Sequence, residues 1–349
     1  MSDPDQFDPT RYAADSLAAA GISGDVEAPA TDQDPRALVE HVVQSIARVA
    51  PRGWGHINAA FSIAGGAEIA NVVISTAAGP VRMSITSDII EPIRTHRLLT
   101  IGERGPWLCL RFNCDHTGAL QVAFDYGDTE IAPELLLPSE AYLRDFEEFS
   151  RPDAPVWLLA YMGNEGQQLR TAAAARAATS DPGEARAADD EVPAFALLWA
   201  RFALLSAVCR ATDAAGPRAD PAFQVYVGDS GGCTLARLPG NRAVLSGGRN
   251  DSPLLSAAYK GAIAWPDLYR AAPAWLNNLY LDPRAGRGLL SFCYWWDGQH
   301  WYRSELAQGR SLGSVEHPWK PADESARGVP GVWTAESTAT LVKDVLTHV

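Results

Sequence analysis

Residues 225–235 read VYVGDSGGCTL. The centre places Ser230 in a G-x-S-x-G frame, the spacing that lifts a serine hydroxyl clear of its strand for attack on a carbonyl carbon. That chemistry also needs a base to take the hydroxyl proton and a carboxylate to orient the base. Cys109, Cys114 and His116 offer thiol and imidazole groups of the kind that bind zinc. Asp125 and Asp128 offer two carboxyls three residues apart, a pairing suited to general acid and base. Residues 294–303, YWWDGQHWYR, gather Trp295, Trp296, Trp301 and Tyr302 around Asp297-Gly298. Trp, Tyr and Arg are the residue types that dominate protein interfaces. The chain has no glycine-rich phosphate loop and no dinucleotide fingerprint, so no cofactor is expected.

Each candidate depends on the element that carries it. A nucleophile elbow runs strand, serine, helix. After Ser230 comes CTLARLPGNRAVL, which is strand-like and broken at Pro239-Gly240. GDSGG therefore reads as a hairpin turn, with Gly231-Gly232 supplying positive φ. A trypsin-like site would need an upstream histidine in its own motif and the disulfides of secretion, and neither is seen. His300 or His317 would have to act as base. A serine hydrolase using Ser230 stays as the enzymatic alternative.

Cys109 and Cys114 are five apart, so on a strand they point to opposite faces. They read as buried thiols, and no metal site is expected. Asp125 and Asp128 flank the turn after Phe124 and Tyr126 and read as an acidic hairpin tip. A two-residue turn at Asp297-Gly298 pairs Trp296 with Gln299, Trp295 with His300 and Tyr294 with Trp301. Alternation then puts Trp295 and Trp296 on opposite faces. At least one indole is either covered by a second layer or forms a contact surface.

The positioning elements follow from periodicity. Asp34-Pro35 is a helix start, and Leu38, Val42, Ile46 and Val49 recur at helical spacing. Strands are expected around HINAAFSI, EIANVVIS and PVRMSI, split by Gly65-Gly66 and Ala78-Gly79-Pro80. A helix over 88–98, strands WLCLRFN and ALQVAFDY, and a helix capped by Ser139 complete the first half. Residues 164–192 lack aromatics, are rich in Ala and acids, and read as a linker. The plan then repeats. An apolar helical face runs from Phe195 to Leu205, followed by strands FQVYVG, CTLARL and AVLSG and a helix PLLSAAYK. Strands WLNNLYL and GLLSFCYWW and a last helix TATLVKDVL close the chain.

A shift of 168 positions aligns Trp107 with Trp275, Leu108 with Leu276, Gly118 with Gly286, Phe124 with Phe292 and Tyr126 with Tyr294. The expected fold class is α+β: two tandem similar units, each an antiparallel sheet packed with helices. The expected organisation is an acidic flexible arm 1–35, a first unit 36–163, a linker 164–192 and a second unit 193–349.

Composition narrows the function classes. Hydrophobic residues make up 47% of the chain and charged ones 20%, a globular balance. Of the net charge of −13, residues 1–35 carry eight acids against Arg11, and residues 179–192 five acids against Arg186. The rest is near neutral and has no basic footprint for nucleic acid. No apolar run is long enough to cross a membrane, and the acidic start MSDPDQFDPT does not look like a secretory signal. A cytoplasmic location with five reduced cysteines is expected.

The first half resembles the YezG-like immunity proteins of bacterial polymorphic toxin systems. The resemblance rests on the N-terminal helix, Trp54 opening the strands, and GPWLCLRFNCDHTGALQVAFDYGD, with its Trp strand, turn at Gly118 and Phe-x-Tyr before acids. It covers roughly residues 36–150, with a fainter echo in 195–349. Members of that family usually have one unit, so the second half and the acidic arm depart from the pattern. The resemblance implies a cytosolic antitoxin, not an enzyme, that binds and blocks a cognate toxin domain. Related immunity proteins make an NAD-glycohydrolase toxin the implied class. The expected partner-binding residues are Asp125, Tyr126, Asp128, Trp295, Trp296, Asp297, Trp301 and Tyr302, on a monomer or weak homo-oligomer. A non-catalytic protein- or ligand-binding scaffold is the further alternative.

Overall fold

The computed structural model describes residues 34–178, 184–306, 312–313 and 316–347. Apart from its last two residues, the expected arm 1–35 lies outside the described residues. The fold is α+β, with two antiparallel sheets of five and seven strands among the described residues. The chain divides into two compact units between Ala154 and Pro155.

The first unit opens with α1 (Pro35–Val49). The Asp34 carboxylate accepts from Arg36 N at 3.0 Å, and Pro35 fills the first turn, where a missing N–H costs nothing. A three-strand meander follows: β1 (Trp54–Ala64), β2 (Ala67–Thr76) and β3 (Gly79–Met83). Then come α2 (Ser87–Leu99), β4 (Cys109–Asp115), β5 (Leu120–Asp125) and α3 (Ser139–Glu148). The sheet order is β3-β2-β1-β4-β5. Val39, Val42 and Ile46 of α1 and Ile89 and Ile93 of α2 pack on Ile57, Phe61, Ile74, Leu110 and Phe112 of the sheet. Gly65-Gly66 is a true two-residue turn, closing Ala64 on Ala67 with φ of +47° and +79°. Ser139 opens α3 as its first residue rather than capping it; the cap position is Pro138.

The second unit begins with α4 (Val156–Gly163) and α5 (Ala172–Ala178). Next come β6 (Ala185–Ala187), α6 (Phe195–Ala211), β7 (Arg218–Ala219), β8 (Phe223–Gly228), β9 (Gly231–Leu238) and β10 (Arg242–Arg249). The remaining elements are α7 (Pro253–Tyr259), β11 (Phe292–Trp296), β12 (Trp301–Ser304), α8 (Pro321–Gly328) and α9 (Ala335–Thr347). The sheet order is β6-β12-β11-β10-β9-β8-β7. Both sheet faces are covered. One carries Cys233, Leu235, Leu245, Tyr294 and Trp296 against Leu198, Phe202 and Leu205 of α6. The other carries Ala236, Val244, Cys293 and Trp295 against Leu268, Leu276, Leu281 and Leu290.

Three expectations fail here. Described residues in 164–192 belong to the second unit and are not a free linker. The Gln168 side chain accepts from Leu290 N and donates to Leu290 O, both at 2.7 Å. Buried Arg170 donates to Ala272 O at 3.0 Å and lies over the Tyr269 ring. β6 lengthens the sheet beside β12. Low hydrophobicity hid this because the contacts are polar and backbone-directed.

The 168-residue repeat is not a structural one. Both halves contain the order helix, strand meander, helix, two strands, with three strands in the first meander and four in the second, but β4 docks on β1, the first strand of its meander, whereas β11 docks on β10, the last strand. Trp107 leads into β4, while Trp275 lies in an irregular turn. Its WLNNLYL segment forms a 3-10 turn at Asn278–Tyr280 instead of a strand, because the Asn277 side chain accepts from Leu279 N. Among the described residues Phe124 sits on the edge strand β5, and Phe292 on the interior strand β11.

Gly231-Gly232 is not the turn either. The turn is Asp229-Ser230, and both glycines lie in β9. They are there for space: a Cβ on Gly231 would sit 2.4 Å from Gly248 O, and one on Gly232 2.6 Å from Tyr226 O.

Candidate functional site

Ser230 is exposed in the two-residue turn that closes Gly228 on Gly231, and its carbonyl accepts from Asn250 N at 2.8 Å. A strand follows it, not the helix of an elbow. All five cysteines are free and buried. Burial pushes the Cys109 and Cys114 thiols up, away from the thiolate form that a metal needs. Among the described residues no group of three His, Cys, Asp or Glu side chains is placed to hold a metal ion.

In the first unit, Asp125, Tyr126 and Asp128 end β5 and are tied to arginines. Asp125 accepts from Gly127 N at 2.8 Å and from Arg111 at 3.3 Å. The Arg104 guanidinium lies 4.6 Å from the Tyr126 ring centroid and pairs with Asp128. Burial pushes the Tyr126 hydroxyl up, against the pull of Arg104. Tyr126 is half-buried against the core, so Asp128, Arg104 and Arg111 present most of the surface here.

Arg104 is itself held from below. Its carbonyl accepts from Arg151 Nη1 at 3.1 Å, and Arg151 shares the buried Asp145 carboxylate with Arg97. Arg97 also donates to Trp107 O at 2.9 Å. No spacing rule in the sequence joins Arg97, Asp145 and Arg151; the fold alone does.

In the second unit the expected aromatic surface is core. Trp295, Trp296 and Trp301 are 3%, 8% and 0% exposed. Trp296 meets Phe195 of α6 in a tilted contact and Trp301 meets it edge to face, and Trp295 packs under the opposite face. They are unavailable to a partner, because both faces of this sheet are covered. The register also differs from expectation: Trp296 pairs with Trp301, Trp295 with Tyr302 and Tyr294 with Arg303. A four-residue loop replaces the two-residue turn because the Asp297 carboxylate accepts from Gln299 N at 2.8 Å and His300 N at 2.9 Å. That side-chain capture of backbone donors competes with the tighter turn.

What remains exposed at this end is charge. Residues 188–193 strap the hairpin. Ala188 N donates to Trp301 O, Asp189 accepts from Trp301 N at 2.9 Å, and Trp301 Nε1 donates to Pro193 O. Glu191 receives Arg303, which is almost fully buried, and the Tyr294 hydroxyl. The His300 ring lies 2.8 Å from the second Asp189 oxygen. Partial burial works to raise the Asp297 carboxyl, but the His300 and Gln299 N–H groups and the Tyr302 hydroxyl outweigh it and hold it below the ordinary range. Asp189, Asp190 and Asp297 are exposed here beside His300. Asp189 and Asp190 were hidden in the expected linker; the signal was an acidic run directly before an apolar helix.

Among the described residues no helix is long and apolar enough to cross a membrane. No protein-family model matches the chain, and no curated protein matches it.

Proposed function

We propose that the protein is a cytoplasmic immunity protein that binds a cognate toxin domain and blocks it, as its resemblance to the YezG-like family implies. The observation that carries the reading is the acidic end of the β11–β12 hairpin. Asp297 stands exposed on the loop whose backbone it pins, and Asp189 and Asp190 stand exposed on the 188–193 strap bound to that hairpin. A pre-ordered loop loses little entropy on docking. Its charge suits a cleft lined with basic groups that bind an anionic substrate, as in the NAD-glycohydrolase class of toxin. Asp128 of the first unit is a second acidic contact in this reading. Trp295, Trp296 and Trp301 act as the support of the tip and not as its surface.

Co-production with a candidate NAD-glycohydrolase toxin domain, followed by titration calorimetry of the purified pair, tests the reading. Asp190→Lys reverses one charge, and Asp297→Asn removes another but keeps an acceptor for the loop N–H groups. The expected loss of affinity is about tenfold or more, with weakening as salt rises. No protection by the wild-type chain, or affinity within threefold for the double variant, overturns it. The hydrolase alternative predicts that a fluorophosphonate labels Ser230 faster in the native than in the denatured protein, and the immunity reading predicts that it does not.

A further inference from the structure

Helix α6 is apolar on every side. In its sequence, FALLWARFALLSAVCRA, only Arg201, Ser206 and Arg210 break the apolar run. One side, with Leu198, Phe202, Leu205 and Cys209, packs on the sheet of the second unit. The opposite side carries Leu197, Ala200, Leu204, Ala207 and Ala211, all exposed, and the two leucines are 55% and 51% open. A helix that is apolar all round is ordinarily buried all round. The exposed positions also follow one another by three, four, three and four residues. That is the a/d seam of a coiled coil, which takes another helix and not a strand or a loop. Leu197 and Leu204 hold a positions, and Ala200 and Ala207 hold d positions.

The pattern also selects the helix. In a parallel pair, layers of leucine on leucine would alternate with layers of alanine on alanine, and the two axes could not stay evenly spaced. In an antiparallel pair a meets d. Leu197 of one copy then meets Ala207 of the other, and Leu204 meets Ala200, so each layer is one leucine on one alanine. The seam is complementary to itself, and a twofold relation closes at two chains. No acid or base stands on it, so the net charge of −13 sets no like charges against each other there. Arg201, at its border, donates to the Val332 and Trp333 carbonyls. Residues 1–33 make a poorer cover, with one leucine, Leu17, and seven acids that gain nothing from an uncharged face. The seam is about 25 Å long and about 10 Å wide, on the order of 250 Å² on each copy against about 800 Å² in a standard interface. That area supports reversible pairing at high concentration and not a permanent dimer. We propose that two copies of this chain pair antiparallel along the outer face of α6, crossing near position 202.

Sedimentation equilibrium of the full chain, from about 1 µM to about 500 µM, tests the pairing. The weight-average mass should rise toward twice that of one chain. Leu204→Lys should move that rise to concentrations about tenfold higher or more. It should leave the urea midpoint of dilute protein unchanged, because the side chain is exposed in the single chain. Direction is read with a short bis-maleimide cross-linker, since all five native cysteines are buried. A mixture of Leu197→Cys and Ala207→Cys chains should cross-link, and neither variant should cross-link with itself, because like positions then lie ten residues, about 15 Å, apart along the helices. A mass that stays that of one chain, a rise untouched by Leu204→Lys, or cross-linking of Leu197→Cys to itself in place of the mixed pair overturns the proposal. So does a chain that pairs only after residues 1–33 are replaced by Gly-Ser repeats, since its own arm would then be the cover. No toxin enters these measurements, so failure of the immunity reading leaves them untouched.

Discussion

Replacing Asp145 by alanine removes the anion from a buried site that holds two cations. Asp145 is fully buried, Arg97 donates to one oxygen at 2.5 Å and Arg151 to the other at 2.8 Å, and Gly65 N adds a third donor at 3.3 Å. At a charge separation of roughly 4 Å and an effective dielectric near 20, each pair is worth about 4 kcal/mol before desolvation. Repulsion between the guanidinium groups and the cost of burying all three charges cancel part of this. Burial and Arg97 draw the Arg151 guanidinium down from its ordinary range, against the support of Asp145. Removing one side of such a buried pair costs about 3–5 kcal/mol, a large share of the 5–15 kcal/mol typical of a domain. Exchange of the Leu110 and Phe112 amides of β4 should therefore speed up by about 10² to 10³-fold or more. A double-mutant cycle with Arg151→Met should show coupling above about 1 kcal/mol. A loss below about 1 kcal/mol for Asp145→Ala would refute the reasoning, since the arginines would then be satisfied by the Trp107, Arg104 and Pro106 carbonyls alone.

Burial lowers His96 to about 4, and the Trp107 indole N–H donates to its Nδ1 at 3.2 Å. The unfolded chain takes a proton near pH 6.5 and the folded one only near 4, so stability falls as pH drops through that window, by about 3 kcal/mol in all; urea midpoints of His96→Gln should be flatter from pH 6.5 to 4. A Cβ on Gly248 would lie 2.1 Å from Leu289 O, a backbone atom, so Gly248→Ala should cost about 1–3 kcal/mol in urea unfolding of the second unit. Trp296→Ala should lose about 3–5 kcal/mol of stability by opening a cavity under α6, and calorimetric scanning will show this whether or not a partner is present.

Local rules read much of this chain. Asp34-Pro35 starts α1, Gly65-Gly66 turns β1 into β2, and the alternation of Ile57, Ala59, Phe61 and Ile63 marks a buried strand face. Each of these depends on contacts within a few residues. The α+β class was legible for the same reason, since period and turn chemistry are local. The order of strands was not. Nothing near β4 or β11 says whether it docks on the first or last strand of the preceding meander, because that pairing joins segments distant in sequence. The site divides the same way. Asp297 and the exposed hairpin end could be read from the Asp-Gly signal. That Trp295 and Trp296 are both buried required a second layer over each face, built from residues 265–290 and from α6. The glycines of GDSGG illustrate the limit best: the sequence by itself determined that a turn lies there, and only the packing of β9 against β10 at Gly231, and against β8 and Arg284 at Gly232, decided that both are glycines because no Cβ fits.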